Sequence, residues 1–209
     1  MVIRCRTTSI RVLAPSYPTG DEREIAADLA GVVMGGTFTS RLNVKLREEK
    51  GYTYGARTGF SGSKIKGTFK ASSSVRTNTT GESVSIFKEQ IADYKNGVSQ
   101  EDLDFTKNAM IKSNARRFET QSSLLGMLQE MSTYDLPADY IAEEEAIVSA
   151  MTLERHKQLA NKYLDESKMA YLVVGDAASQ FAQFKDMGFD EVKLLDKKGE
   201  ETKLEDVKM

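Results

Sequence analysis

Apolar residues change their period several times along the chain, and each change marks an element. Residues 2–13 alternate loosely, with Ile3 and Cys5 followed by Ile10 and Val12, which predicts a strand. A turn cluster over 14–20 gives way to helical spacing over 21–34, with Asp21 as the cap and Ile25, Leu29, Val32 and Val33 on one face. Gly35 and Gly36 stop that helix. A second helix starts within 37–40, carries Leu42 and Leu46 one turn apart, and ends where Gly51 suits a left-handed cap. From Tyr52 the pattern becomes strand-like over 52–57, 61–63 reads as a turn, and 65–71 alternates as the return strand of a hairpin.

The second half is mostly helical. Thr79 and Glu82 have the spacing of a capping box, opening a helix that carries Val84, Phe87, Ile91 and Tyr94. Asn96 and Gly97 end it, and Ser99 caps a further helix with Leu103, Thr106 and Met110, whose helical character runs on with a break towards Met131. Helices over 138–149 and 153–164, a buried strand over 169–174, a short helix over 178–186 and a last strand over 192–195 complete the pattern. The charged tail, 197–209, is expected to fray. Helices and strands mixed around an obvious hairpin predict an α+β fold: a single two-layer domain over 1–209, with an antiparallel or mixed β-sheet covered by helices on one face.

Composition narrows the chemistry. Lys and Arg number 29 against 31 Asp and Glu, a net charge of −2, so no basic surplus favours nucleic acid as a partner. The longest apolar run near the C-terminus, 171–174, is of strand length, so no membrane span is expected. The N-terminus lacks the apolar stretch of a signal peptide and reads as a start inside something larger. Cys5 is the sole cysteine and His156 the sole histidine, too few for a disulfide framework or an imidazole zinc site. Between Arg155 and Lys157 on a helix, His156 is expected to be exposed or half-exposed. The acidic runs 143–145 and 101–102 read as solvated helix faces. No nucleophile elbow or P-loop occurs. The chain by itself is not expected to be an enzyme and holds no cofactor.

One stretch carries more. Residues 34–56, MGGTFTSRLNVKLREEKGYTYGA, closely resemble the segment L-G-G-x-x-x-S-R-L-x-x-x-(I/L)-R-E-x-x-G-(L/Y)-x-Y of the insulinase/pitrilysin family of zinc metallopeptidases, most specifically over 35–54. The likeness continues in order: 96–103 resembles that family's G-(V/I)-(S/T)-x-E-E-L helix start, with Asp102 in place of the second glutamate. Residues 172–176 and 192–199 resemble its penultimate and closing strands. The resemblance implies an insulinase or mitochondrial-processing-peptidase-like fold and a parent of two similar halves that close around a peptide substrate. One half carries H-x-x-E-H and zinc; this chain lacks that motif and resembles the C-terminal domain of the other, non-catalytic half.

The resemblance further implies that Arg47 and Tyr54, seven residues apart, act as an auxiliary pair at the zinc site of the H-x-x-E-H-bearing half. Arg47 would hold the bound peptide and Tyr54 would stabilise the oxyanion. Arg47 falls in the last turn of a helix and Tyr54 in the strand after it, so a reversal at Gly51 can bring both tips to one side. Tyr52 shares the strand face of Tyr54 by the period of two, and the family pattern selects Tyr54. The alternative is a peptidase-dead scaffold subunit, which the same family also contains. The sequence leaves the compartment open; export of a bacterial parent to the periplasm is compatible with it and is not shown by it.

Overall fold

The computed structural model describes residues 7–15, 40–61 and 67–206. Cys5, the helix expected over 21–34, the Gly35–Gly36 stop and most of the hairpin turn lie outside these residues. Among the described residues four strands form one sheet: β1 (Thr7–Pro15), β2 (Thr53–Ser61), β3 (Thr68–Arg76) and β4 (Ala170–Val174). Their order is β2-β3-β1-β4 and every pairing is antiparallel, which decides between the antiparallel and mixed alternatives.

Strict alternation gives the sheet one wet and one dry face. Thr8, Ile10, Val12 and Ala14 of β1 are buried, as are Phe69, Ala71, Ser73 and Val75 of β3, while the residues between them are exposed or half-exposed. The dry face packs on the helix α2 (Thr80–Tyr94), whose Val84, Phe87 and Ile91 are fully buried. A short helical segment, α1, runs as one α-turn over Arg41–Asn43 and a π-helix over Val44–Glu49; it sends Leu42 and Leu46 into the same core. Beyond α2 come α3 (Gln100–Asn114), α4 (Gln121–Tyr134), α5 (Tyr140–Ala150), α6 (Leu153–Tyr163) and α7 (Ala177–Phe184). A second, smaller core of Leu103, Met151 and Leu159 sits among α3, α6 and the turn between α5 and α6.

Several local expectations need correction. The return strand is β3, which runs on to Arg76 through Ser72, Ser73 and Ser74. The Thr79–Glu82 capping box does not form: Thr79 Oγ1 donates back to the Arg76 carbonyl, and Glu82 is drawn to Lys50 and Tyr52. The last strand is absent; Leu195 makes one isolated bridge to Glu201 around a turn whose amides Asp196 collects. Glu144 is not a solvated charge, because Arg117 donates to it at 3.0 Å and to Glu130 at 3.1 Å, and its pKa is raised, by burial first, against the opposing pull of Arg117. His156 is fully buried, not exposed, with Nε2 2.8 Å from Tyr94 Oη. The Ser99 cap is present, accepting from the Asp102 amide at 3.0 Å, and the helical break falls over Ala115–Phe118.

Gly175 closes β4 against the start of β1. A Cβ there would stand 2.5 Å from Thr8 Oγ1 and 2.9 Å from Thr8 Cγ2, and Thr8 is fully buried with its hydroxyl bonded to Thr80 at 3.0 Å. Gly175→Ala is therefore expected to destabilise the fold by about 1–3 kcal/mol, read as a lower urea midpoint at unchanged m. An unchanged midpoint would mean that Thr8 rotates aside at no cost.

Candidate functional site

The segment that carries Arg47 and Tyr54 is built around an unusual helix end. The Lys50 amide donates to the Lys45 carbonyl at 3.2 Å, the five-residue reach of a π-turn. Gly51 N then bonds Arg47 O at 3.1 Å and Tyr52 N bonds Leu46 O at 2.8 Å. Each bond spans one residue more than in the usual glycine-capped helix end. Gly51 takes φ +63°, so the left-handed cap read from the sequence is present. Turns of this widened kind concentrate at functional sites.

Asn43 fastens the helix to the strand that follows. Its Nδ2 donates to the Ala56 carbonyl at 2.8 Å and its Oδ1 accepts from the Ala56 amide at 2.6 Å. The side-chain amide thus stands in for a neighbouring strand on the outer edge of β2, and Ser40 Oγ, 3.2 Å from Nδ2, orients it. Sequence reasoning passed over Asn43; the available signal was a polar residue at a buried position, directly after Leu42. Asn43→Ala would leave a buried amide and carbonyl unpaired. It is expected to cost about 1–3 kcal/mol and to speed hydrogen exchange at the Ala56 amide. Unaltered exchange there would show that the clamp is dispensable.

Immediately before Ala56 the strand bulges. Thr53 pairs with Val75 and Ala56 with Ser73, so Tyr54 and Gly55 together face the single residue Ser74. Thr53 Oγ1 accepts from the Gly55 amide at 3.1 Å and reaches the Ser74 carbonyl at 2.8 Å; Ser73 Oγ donates to the Gly55 carbonyl at 3.1 Å. In an unbroken strand Tyr54 would share the inward face of Ala56 and Phe60. The bulge gives the inward place to Thr53 and leaves Tyr54 98% exposed.

Tyr52 and Tyr54 are separated by their surroundings. Tyr52 lies before β2, packs against the main core and donates its hydroxyl to Glu82. The Glu82 carboxyl is held below its ordinary range first by Lys50, whose Nζ is 2.7 Å away, and then by Tyr52. Arg47 is half-exposed at the end of the π-helix, with Nε 3.4 Å from Glu48 Oε1. Three residues of chain reversal separate the π-helix from the strand that bears Tyr54.

The described residues do not fit a metal. Among the described residues no group of three His, Cys, Asp or Glu side chains could hold an ion, and His156 is taken up in the core. No described helix is long and apolar enough to cross a membrane.

Known proteins bear out the resemblance read from residues 35–54. The model of the peptidase M16 inactive domain matches residues 5–110. A solved peptidase M16 inactive domain from Pseudomonas fluorescens is 26% identical with a TM-score of 0.75, over 82% of this chain and 41% of that one. A curated relative, the non-peptidase homolog YmxG of Helicobacter pylori, is 23% identical over 145 residues, 69% of this chain and 34% of that protein. A chain of the Candida albicans complex III2 with Inz-5 bound shares the fold at 11% identity and a TM-score of 0.71, over 87% of this chain and 46% of that one. The chain spans less than half the length of each of these relatives. Its sequence and its one-sided antiparallel sheet agree, and the chain belongs to the peptidase M16 inactive-domain family.

Proposed function

We propose that this domain closes over a peptide-cleaving site held by a second half, in which H-x-x-E-H residues carry the zinc, and lends that site Arg47 and Tyr54. The observation that carries the reading is the bulge. A large side chain that would otherwise add to the core is held out in solvent, 98% exposed, by a buried asparagine clamp and the hydroxyls of Thr53 and Ser73. A fold with no use for that phenol gains nothing by exposing it.

The chemistry follows from the two side chains. When water attacks a peptide carbonyl, negative charge gathers on the carbonyl oxygen, and a phenol hydroxyl aimed there stabilises it. The flat guanidinium of Arg47 suits a backbone carbonyl of the bound peptide, which would compete with the exposed Glu48 for it. Both roles require the second half to shut over this one. Helix α4, which buries no residue, shows Leu125 and Leu128 to solvent, each 57% exposed, the kind of surface a neighbouring half covers.

A second reading, a peptidase-dead scaffold subunit, is favoured by the relative named as a non-peptidase homolog. The two separate on the parent protein: turnover that depends on Tyr54 supports the first, and a parent with neither bound zinc nor turnover supports the second.

A further inference from the structure

The open face of the sheet carries charge of one sign. The charged residues of the four strands are Arg11, Arg57, Lys70 and Arg76, with no aspartate or glutamate among them, in a chain whose acidic residues outnumber its Lys and Arg. Strand register brings three of these cations together. Arg57 of β2 and Arg11 of β1 lie opposite Ser72 from either side, and Lys70 is two residues along β3 on the same face. With strands about 4.8 Å apart, Arg57 and Arg11 stand roughly 10 Å from each other at the backbone, and Lys70 lies diagonally about 7–8 Å from each.

Ser72, Ser74, Ser9 and Gly59 occupy positions between and beside them, with half-exposed Leu13 opposite Lys70, so the face is a cationic dish whose floor is small residues apart from Leu13. Arg11, Arg57 and Lys70 are exposed, and none pairs with a carboxylate among the described residues. Leu172 and Val174, 41% and 60% exposed, border the dish on β4. Like charges gathered on one sheet face repel, a cost that an anionic partner reverses.

We propose that this face binds an acidic stretch of extended peptide, so that the substrates favoured are peptides with clustered Asp and Glu. The inference rests on the reading of Tyr54 as a substrate-facing residue. Arg57 lies three positions beyond it on β2, and Ser74, which opposes the bulge, also belongs to the dish. Arginine forks take carboxylates in pairs of hydrogen bonds, and Leu172 and Val174 offer apolar contact to intervening side chains. The net charge of −2 opposes a long polyanion, whereas a short acidic segment meets only the local field.

The test is fluorescence anisotropy on the 209-residue chain with a short labelled Gly-Ser peptide bearing several glutamates, its glutamine counterpart, and oligothymidylate of matching length. The glutamate peptide is expected to bind on the order of tenfold more tightly than the glutamine peptide, with the preference lost at high salt and in Arg11→Gln/Arg57→Gln/Lys70→Gln. These positions are exposed, and circular dichroism checks that the variant stays folded. Equal affinity for the two peptides, no measurable binding of either, a preference that survives the triple variant, or tighter binding of the oligonucleotide would each overturn the proposal. Binding is read on this chain and turnover on the parent, so failure here and failure of the Tyr54 reading are seen separately.

Discussion

On the proposed reading of the parent as a peptidase, Tyr54→Phe is expected to lower its kcat by about 10²- to 10³-fold, the usual loss when one oxyanion donor is removed. The KM should change little, because phenylalanine keeps the ring and removes only the hydroxyl. Zinc content and thermal midpoint should stay as they are, since a side chain 98% exposed contributes no packing. Tyr52→Phe is the matched control. It breaks a bond to Glu82 at the protein surface and is expected to leave kcat within about twofold. If Tyr52→Phe lowers kcat and Tyr54→Phe does not, the roles of the two tyrosines exchange. If neither moves it, the exposed tyrosine serves an interface and the scaffold reading gains.

The contrast between these tyrosines shows where local sequence stops being informative. The period of two placed both on one strand face, and two long-range contacts undo that placement. Glu82, thirty residues on, draws Tyr52 down, and the bulge opposite Ser74 turns Tyr54 out. Neither contact leaves a trace in the alternation. The same contact explains the missing capping box, since Glu82 cannot serve Lys50 and Tyr52 while reaching back to its own helix start. The serine run 72–74 hid the second half of β3 because its outward positions lie on the polar open face, while Ser73 is buried by bonding to Gly55 and Thr53. Where one face was plainly apolar, as in β1, α2 and α6, the elements were legible. The Arg47–Tyr54 pair was legible only through resemblance to a family, because a helix-end arginine and a strand tyrosine carry no mark of function in the pattern of this chain alone.

His156 was misjudged for a different reason, and it yields the largest expected effect of pH. Its charged neighbours Arg155 and Lys157 suggested solvent, yet His156, Leu159 and Ala160 share the buried stripe of α6 by helical spacing. Burial first, and then the positive charge of Arg41, lower its pKa from 6.5 to about 4. Arg41 lies over the Tyr94 ring and is itself near Asp93 and Asp102. As pH falls below 6.5 the unfolded chain takes up a proton at this residue that the folded chain refuses until about 4. Stability from this group is therefore complete above pH 6.5 and lost progressively down to about pH 4, by about 3 kcal/mol in total. Carboxylates titrate in the same window, so the quantity to measure is a difference: urea unfolding of the wild type and of His156→Gln at a series of pH values from 7.5 to 4. Glutamine can still meet the Tyr94 hydroxyl but cannot take up the proton. The wild-type advantage should shrink by about 3 kcal/mol across that range. A difference that stays constant with pH would mean that the folded protein already admits the proton at His156, as an imidazole open to water would.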